Sequence, residues 1–334
     1  MQKRYDLIAI GDVVTDAFIQ LKEASVHCNI NREQCEICMK FADKIPYESV
    51  TVIPAVGNSA NAAIAAARLG LSSALVSNIG DDYHGKEALD ALAVEKVSTE
   101  FVRVNAGEKT NYHYVLWFED DRTILVKHEE YNYKLPDIDD PKWIYLSSLG
   151  SNSLPFHYEI ERYLHDHPNV KLAFQPGTFQ IKLGRDELAG IYRRTNAFFC
   201  NKEESQRILG TAEHDIRKLL GGIHELGPKI VVISDGPKGA YAYDGYDGGE
   251  AWFLPAYPDP KPPFERTGAG DAFSSTFTVA LALGKSVPEA LQWGPVNSMS
   301  VVQQIGARVG LLTREQLEEY LAKAPEDYRP QFIN

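Results

Sequence analysis

Short apolar runs ending in glycine or a polar residue alternate with stretches of helical periodicity along most of the chain. YDLIAIGD, SALVSNIGD, KWIYLSS, VKLAFQP, AFFCN and KIVVISDG have the length and β-branched or aromatic content of buried strands. Between and after them lie helical patterns. NSANAAIAAARLG is an alanine-rich helix stopping at Gly70, and a second helix runs through GKEALDALAV. FSSTFTVALAL has Phe273, Phe277, Ala280 and Leu281 at helical spacing, and WGPVNSMSVVQQ follows it as another helix. Strands that are apolar throughout, each followed by a helix, predict an α/β protein whose parallel sheet is covered on both faces. Ligands in such folds bind at the carboxyl ends of the strands.

Two stretches break the alternation. Residues from about 20 to 56 are too long for an ordinary strand-to-helix connection. Residues 108–131, EKTNYHYVLWFEDDRTILVKHEEY, read as two strands joined at Glu119-Asp120-Asp121. A bare hairpin is marginal in water, so this aromatic-rich ribbon needs something to pack on or a second copy to pair with. The expectation is one domain spanning 1–334, with lid segments at about 17–56 and 108–131. Asn111, Tyr112, His113 and Tyr114 are the lid side chains placed to meet a substrate, and pattern leaves open which hairpin face does so.

Composition narrows the partners. A formal charge of −12 argues against nucleic acid or an acidic membrane surface, which demand concentrated Lys and Arg. It leaves room for a small anion held by backbone N–H groups. No apolar run approaches a membrane span, and MQKRYDLIAIGDVV is too short in its apolar part for a signal peptide. The expected location is the cytoplasm. Cys28, Cys35 and Cys38 cluster beside His27, but Cys-x6-Cys-x2-Cys is not a common zinc spacing. Reduced thiols packed in the insertion are expected there.

Two phosphate-loop signals are weak. Gly80 to Lys86 has the spacing of a P-loop but places Glu87 where a hydroxyl should hold magnesium, and Phe273 stands where a third glycine would complete Gly-x-Gly-x-x-Gly. A nicotinamide-dependent oxidoreductase is correspondingly a poor fit. ERTGAGDAF is stronger. Its small residues sit where a loop becomes a helix, so free N–H groups and the positive dipole end face an anion. A carboxylate at such a mouth repels phosphate, so Asp271 belongs there only if it has chemistry to perform. Asp12 and Asp16 follow the first strand, Gly57 and Asn61 open the alanine-rich helix, and Asn201 and Glu204 follow AFFC. Singly these have dull explanations, such as an N-cap with a capping-box partner for Asn201 and Glu204. Together, at strand ends, they outline a site.

These motifs resemble the PfkB, or ribokinase-like, family of carbohydrate and nucleoside kinases, from IAIGDVVTD through NIGDDYHG, NKEE, SDGPKG and TGAGDAF to GARVGLL. The resemblance implies a three-layer α/β/α sandwich with a mostly parallel central sheet and a small β-rich lid. It implies transfer of the γ-phosphoryl group of ATP to a hydroxyl, with magnesium required and potassium often activating. Asp271 would be the general base, and the backbone of Gly268, Ala269 and Gly270 the anion hole. Asn201 and Glu204 would hold magnesium through water. Ser234, Gly236, Gly239, Thr267 and Asn297 would lie on the nucleotide side, with Glu265 a candidate monovalent-cation ligand. Asp12, Asp16, Gly57, Asn61, Tyr112 and Tyr114 would meet the acceptor, a sugar ahead of a nucleoside. Several relatives pair through lid strands, which implies a homodimer. A silent metabolite-binding protein of the same fold is the other class left open.

Overall fold

The structure, a computed structural model, describes residues 4–28, 35–119, 121–246 and 248–333. Strands β1 (Leu7–Ile10), β2 (Val14–Leu21), β3 (Ser25–His27), β4 (Glu36–Cys38) and β5 (Tyr47–Val56) precede helix α1 (Asn58–Arg68). Then come β6 (Ser73–Gly80), α2 (Tyr83–Val94), β7 (Val102–Asn105), β8 (Tyr112–Phe118), β9 (Asp121–Leu125), β10 (Trp143–Leu146) and α3 (Leu154–Asp166). The next stretch holds β11 (Lys171–Phe174), α4 (Thr178–Leu183), α5 (Ala189–Arg194), β12 (Ala197–Asn201), α6 (Lys202–Leu209) and α7 (Ile216–Glu225). It is followed by β13 (Ile230–Ser234), β14 (Ala240–Asp244), β15 (Glu250–Leu254), α8 (Ala269–Ala282), α9 (Val287–Val301), α10 (Arg314–Ala322) and β16 (Gln331–Phe332).

The central sheet runs β16-β15-β14-β13-β12-β11-β10-β1-β6-β7. Pairing is parallel from β7 to β13 and antiparallel across β14, β15 and β16. The period of two along each strand divides its side chains between two cores. Leu7, Ala9 and Tyr145 join the layer of α1, α8 and α9, whereas Ile8, Ile10, Ile144 and Leu146 join the layer of α3 and α7. Both faces are therefore buried, which is why these strands read as unbroken apolar runs. Helix α1 owes its closeness to alanine: Ala60, Ala62, Ala63, Ala65 and Ala66 are all fully buried.

A second sheet, β5-β2-β8-β9, forms the lid. Strand β2 leaves the end of β1 after only three residues, pairs antiparallel with β5 and parallel with β8, and β8 pairs antiparallel with β9. Val14, Phe18, Ile53, Val56 and Val115 pack its inner face against Ile305. The hairpin turn carries Glu119 at φ 57°, and Asp120 lies outside the described residues.

Strands β3 and β4 form a separate small hairpin in the insertion. The structure corrects the expectation of reduced thiols there, because Cys28 and Cys35 are joined in a disulfide. Register explains the pairing. His27 stands opposite Glu36, so the next residues outward, Cys28 and Cys35, face each other at the ladder's end. Cys38 and Cys200 remain thiols, and among the described residues no group of three His, Cys, Asp or Glu side chains could hold a metal. In denatured protein two thiols should react before reduction and four afterwards, as read by thiol titration; four without reductant would rule the pairing out. No helix among the described residues is long and apolar enough to cross a membrane.

Candidate active site

Helix α8 begins at the carboxyl end of the sheet with Gly268 as its N-cap, in the left-handed conformation at φ 80°. That turn brings Asp271 into the first turn of the helix, where three elements converge. Asn61 of α1 donates its Nδ2 to Asp271 Oδ2 at 2.8 Å, and Gln175, just beyond β11, donates its Nε2 to Oδ1 at 3.0 Å. Burial pushes the Asp271 carboxyl up to about 6; the two amides pull it down, while Glu204 and Asp16 push it further up. A carboxylate so placed is ionised at neutral pH and still able to take a proton.

Asp271 lines a cavity of about 230 Å³ together with Gly268, Gly270, Asn201, Glu204, Ser234, Gln175, Arg122 and Arg266. Asn201 and Glu204 cap α6 reciprocally: Asn201 Oδ1 accepts from Glu204 N at 2.8 Å, and Glu204 Oε2 accepts from Asn201 N at 2.9 Å. Burial raises the Glu204 carboxyl above its ordinary range. The cavity opens into a larger cleft of about 720 Å³, bordered by Ser234, Gly236, Gly239, Ala269, Gly270, Pro295, Ser298 and Met299. That volume suits a nucleotide-sized ligand.

On the other side of Asp271 the base of the lid meets the end of β1. The Asp12 carboxylate accepts from Tyr133 Oη at 2.9 and 3.0 Å and lies 2.7 Å from His128 Nδ1. Asp16 of β2 stands opposite His113 of β8, with Oδ1 and Nδ1 3.4 Å apart. Asp16 Oδ1, Asn61 Oδ1 and His113 Nε2 are buried without a hydrogen-bond partner. Buried polar atoms are rarely left so, and each of these can bond a ligand hydroxyl.

Residues 23–314 match the pfkB family carbohydrate kinase description. The chain belongs to the pfkB family of carbohydrate kinases. As a pfkB kinase it is a phosphotransferase with an alcohol group as acceptor, and ATP use accords with the family. It is 28% identical to a ribokinase of Bacillus subtilis over 273 residues, covering 80% of this chain and 87% of that protein. It is 24% identical to a nucleoside kinase of Methanothermobacter thermautotrophicus over 272 residues, covering 80% and 84%. The fold is shared with the Arabidopsis thaliana ribokinase complexed with ribose and ATP, at a TM-score of 0.79 and 21% identity, over 96% of this chain and 99% of that one.

Not every residue anticipated from the pfkB motifs comes to the cleft. Asn297 is fully buried, donating to Thr276 Oγ1 and accepting from Leu312 N, so it ties α9 to its neighbours while Pro295, Ser298 and Met299 line the cleft instead. Tyr112 and Tyr114 alternate with His113 along β8 and so take the opposite face of the lid sheet. Tyr112 packs on His84 and Tyr114, and Tyr114 is half exposed. Strand alternation makes His113 the inward residue. Asn111 pins the backbone, donating to Val13 O and accepting from Glu129 N. Ala269 directs its N–H toward Arg266 O at 3.4 Å, so of the three small residues Gly268 and Gly270 are the freer donors. Gly57 caps α1, and Thr267 N donates to Glu265 Oε2 at 2.6 Å. Glu265 Oε1 accepts from Gly306 N at 3.0 Å.

Sequence reasoning missed Gln175, Tyr133, His128 and Arg122. Gln175 could have been found, since it ends VKLAFQ at a strand's carboxyl end. Arg122 could not. Its place over the cavity depends on the pairing of Arg122 with Trp117 across β8 and β9, which sets the inward face of the lid.

Proposed function

We propose that this protein transfers the γ-phosphoryl group of MgATP to a hydroxyl of a small sugar, with Asp271 as general base. One observation carries the reading: Asp271, held by two amides, shares a cavity with the small residues that open α8 and with Asn201 and Glu204. The acceptor oxygen bonds to the γ-phosphorus as the bond to the bridging oxygen of the departing ADP breaks. Its proton passes to Asp271. N–H groups of Gly268 and Gly270 face the charge that develops on the phosphoryl oxygens, and Arg122 and Arg266 add positive charge on the same side.

Magnesium suits the residues present. Glu204 Oε2 is engaged in the helix cap, which leaves Oε1 for a hydrated cation. Bound there, the ion would neutralise phosphate charge. A monovalent cation at Glu265 suits them less, because both carboxylate oxygens already accept backbone N–H groups. No step is assigned to it.

The preference for a sugar rests on the unpartnered atoms of Asp16, Asn61 and His113, which match closely spaced hydroxyls. The test is ADP release from MgATP across pentoses, hexoses, sugar phosphates and nucleosides. Turnover with a sugar supports the reading. Turnover with nucleosides alone replaces the acceptor, and silence with every acceptor leaves a binding protein.

We read segments 17–56 and 108–131 as the lid of a single domain that works in the cytoplasm, where MgATP is supplied. The lid's outer face exposes Val50, Val52, Tyr114 and Leu125 from β5, β8 and β9 of the four-stranded sheet. Such an apolar face calls for a cover, and a second copy supplies a matching one. Light scattering at micromolar protein should give a dimer, and Val52→Lys should give a monomer. A monomeric wild type would contradict this.

A further inference from the structure

Asp271 belongs to a closed ring of side chains that the catalytic motif does not contain. Gln175 Nε2 donates to Asp271 Oδ1 at 3.0 Å, and Gln175 Oε1 accepts from Tyr145 Oη at 2.5 Å. Tyr145 sits fully buried on β10, the strand beside β11. Its hydroxyl lies 2.8 Å from Ser274 Oγ, and Ser274 Oγ donates to Gly270 O at 2.7 Å. The ring thus leaves the first turn of α8 at Asp271 and returns to that turn at Gly270.

The ring removes a choice. A glutamine amide can present either oxygen or nitrogen to a neighbour, and oxygen facing a carboxylate is repulsive. With the Ser274 hydrogen on the Gly270 carbonyl, the Tyr145 hydrogen goes to Gln175 Oε1. Only Nε2 is then left for Asp271. Burial, reinforced by the charge of Asp271, pushes the Tyr145 phenol well up, so it stays a donor throughout the working range. Asn61 meanwhile holds the other carboxylate oxygen from α1. The carboxylate plane is fixed from two independent elements, with lone pairs on both oxygens still available.

We infer that Gln175 is a positioning residue, locked in its amide orientation by Tyr145, that sets the Asp271 carboxylate for proton removal from the acceptor. This rests on the proposed role of Asp271 and goes beyond it, because neither Gln175 nor Tyr145 lies in the motifs that carry the family resemblance. A base free to rotate spends less time aligned with the acceptor hydroxyl, and misplacement by about 1 Å costs on the order of 10²-fold.

The experiment compares Gln175→Ala, Gln175→Glu, Tyr145→Phe and the Gln175→Ala/Tyr145→Phe pair in the full chain, using MgATP and the sugar selected by the acceptor panel. Gln175→Ala should lower kcat by about 10- to 10²-fold with both KM values and Tm little changed. Gln175→Glu, which turns an oxygen toward Asp271, should lose more. Tyr145→Phe should lose less, and the pair should match Gln175→Ala, because Tyr145 acts through Gln175. A raised acceptor KM at unchanged kcat would make Gln175 a binding residue and overturn the inference, as would losses that multiply in the pair. A crystal structure of Gln175→Ala gives a readout without turnover. A rotated Asp271 carboxylate supports positioning even if no acceptor is ever phosphorylated, and an unmoved one overturns it.

Discussion

Asp271→Asn should reduce phosphoryl transfer by about 10²–10⁴-fold while ATP still binds, because the change removes the base and keeps the side chain's size. The same carboxylate should set the acid limb of the pH profile. Asp271 must be ionised to accept a proton, and burial holds its carboxyl up to about 6. Activity should therefore be full above that value and fall as pH drops through it, by about tenfold for each further unit. The sign is fixed: protonation fills the lone pair that the acceptor's proton needs. Initial rates of the wild type from pH 4.5 to 8 check this. A profile flat down to pH 4.5, or an Asp271→Asn enzyme as fast as the wild type, would remove Asp271 from the reaction.

Gly268→Ala should damage both fold and rate, whereas Gly270→Ala should damage rate alone. At Gly268 the backbone is left-handed, and an added Cβ would lie 2.2 Å from Ala307 Cβ and 2.5 Å from Ala307 Cα. Strain and overlap together predict a loss on the order of 2–4 kcal/mol of stability. The displaced helix start would also carry its N–H groups off target, costing about 10²–10³ in kcat. At Gly270 the nearest atom to a new Cβ is Gln175 Nε2 at 3.9 Å. The position is helical, so alanine there should leave Tm unchanged or slightly raised. Its methyl instead obstructs the approach of a phosphate to the backbone. Melting curves beside kcat separate the two cases. Equal Tm losses for both substitutions would mean that the small residues serve packing, and full activity in Gly270→Ala would mean that phosphate does not come near.

The parallel sheet was legible because burial on both faces makes β1, β6, β10, β11, β12 and β13 predominantly apolar, with their few polar residues at strand ends or, in β6, at Ser77 and Asn78. The helix start at ERTGAGDAF was legible because an apolar run of helical spacing follows small residues, and Gly268 takes the left-handed N-cap there. Other features depend on pairings between distant segments. The motif names Asp271, but Gln175 reaches it only because β11 ends beside the start of α8. Tyr112 and Tyr114 looked like lid contacts from their chemistry; the inward face belongs to His113 because β8 pairs with β2 in the register that puts His113 opposite Asp16. Asn297 misled for a simpler reason: a buried amide satisfying a neighbouring backbone resembles one waiting for a ligand. The disulfide between Cys28 and Cys35 likewise follows from the β3–β4 ladder, and spacing alone did not reveal it.

The chain leaves the central sheet at the end of β1 and enters the lid as β2 within a few residues, carrying Asp16, while Arg122 stands on β9 of the same four-stranded sheet. One sheet thus holds the proposed reader of the acceptor and a charge on the cavity that Asp271 lines. If the first substrate to arrive orders that sheet, the second would bind a protein already arranged for it. Thermodynamic reciprocity makes the benefit mutual. On the proposed function, the connection between β1 and β2 would make the two substrates heterotropic effectors of one another, each tightening the hold on the other by the same factor.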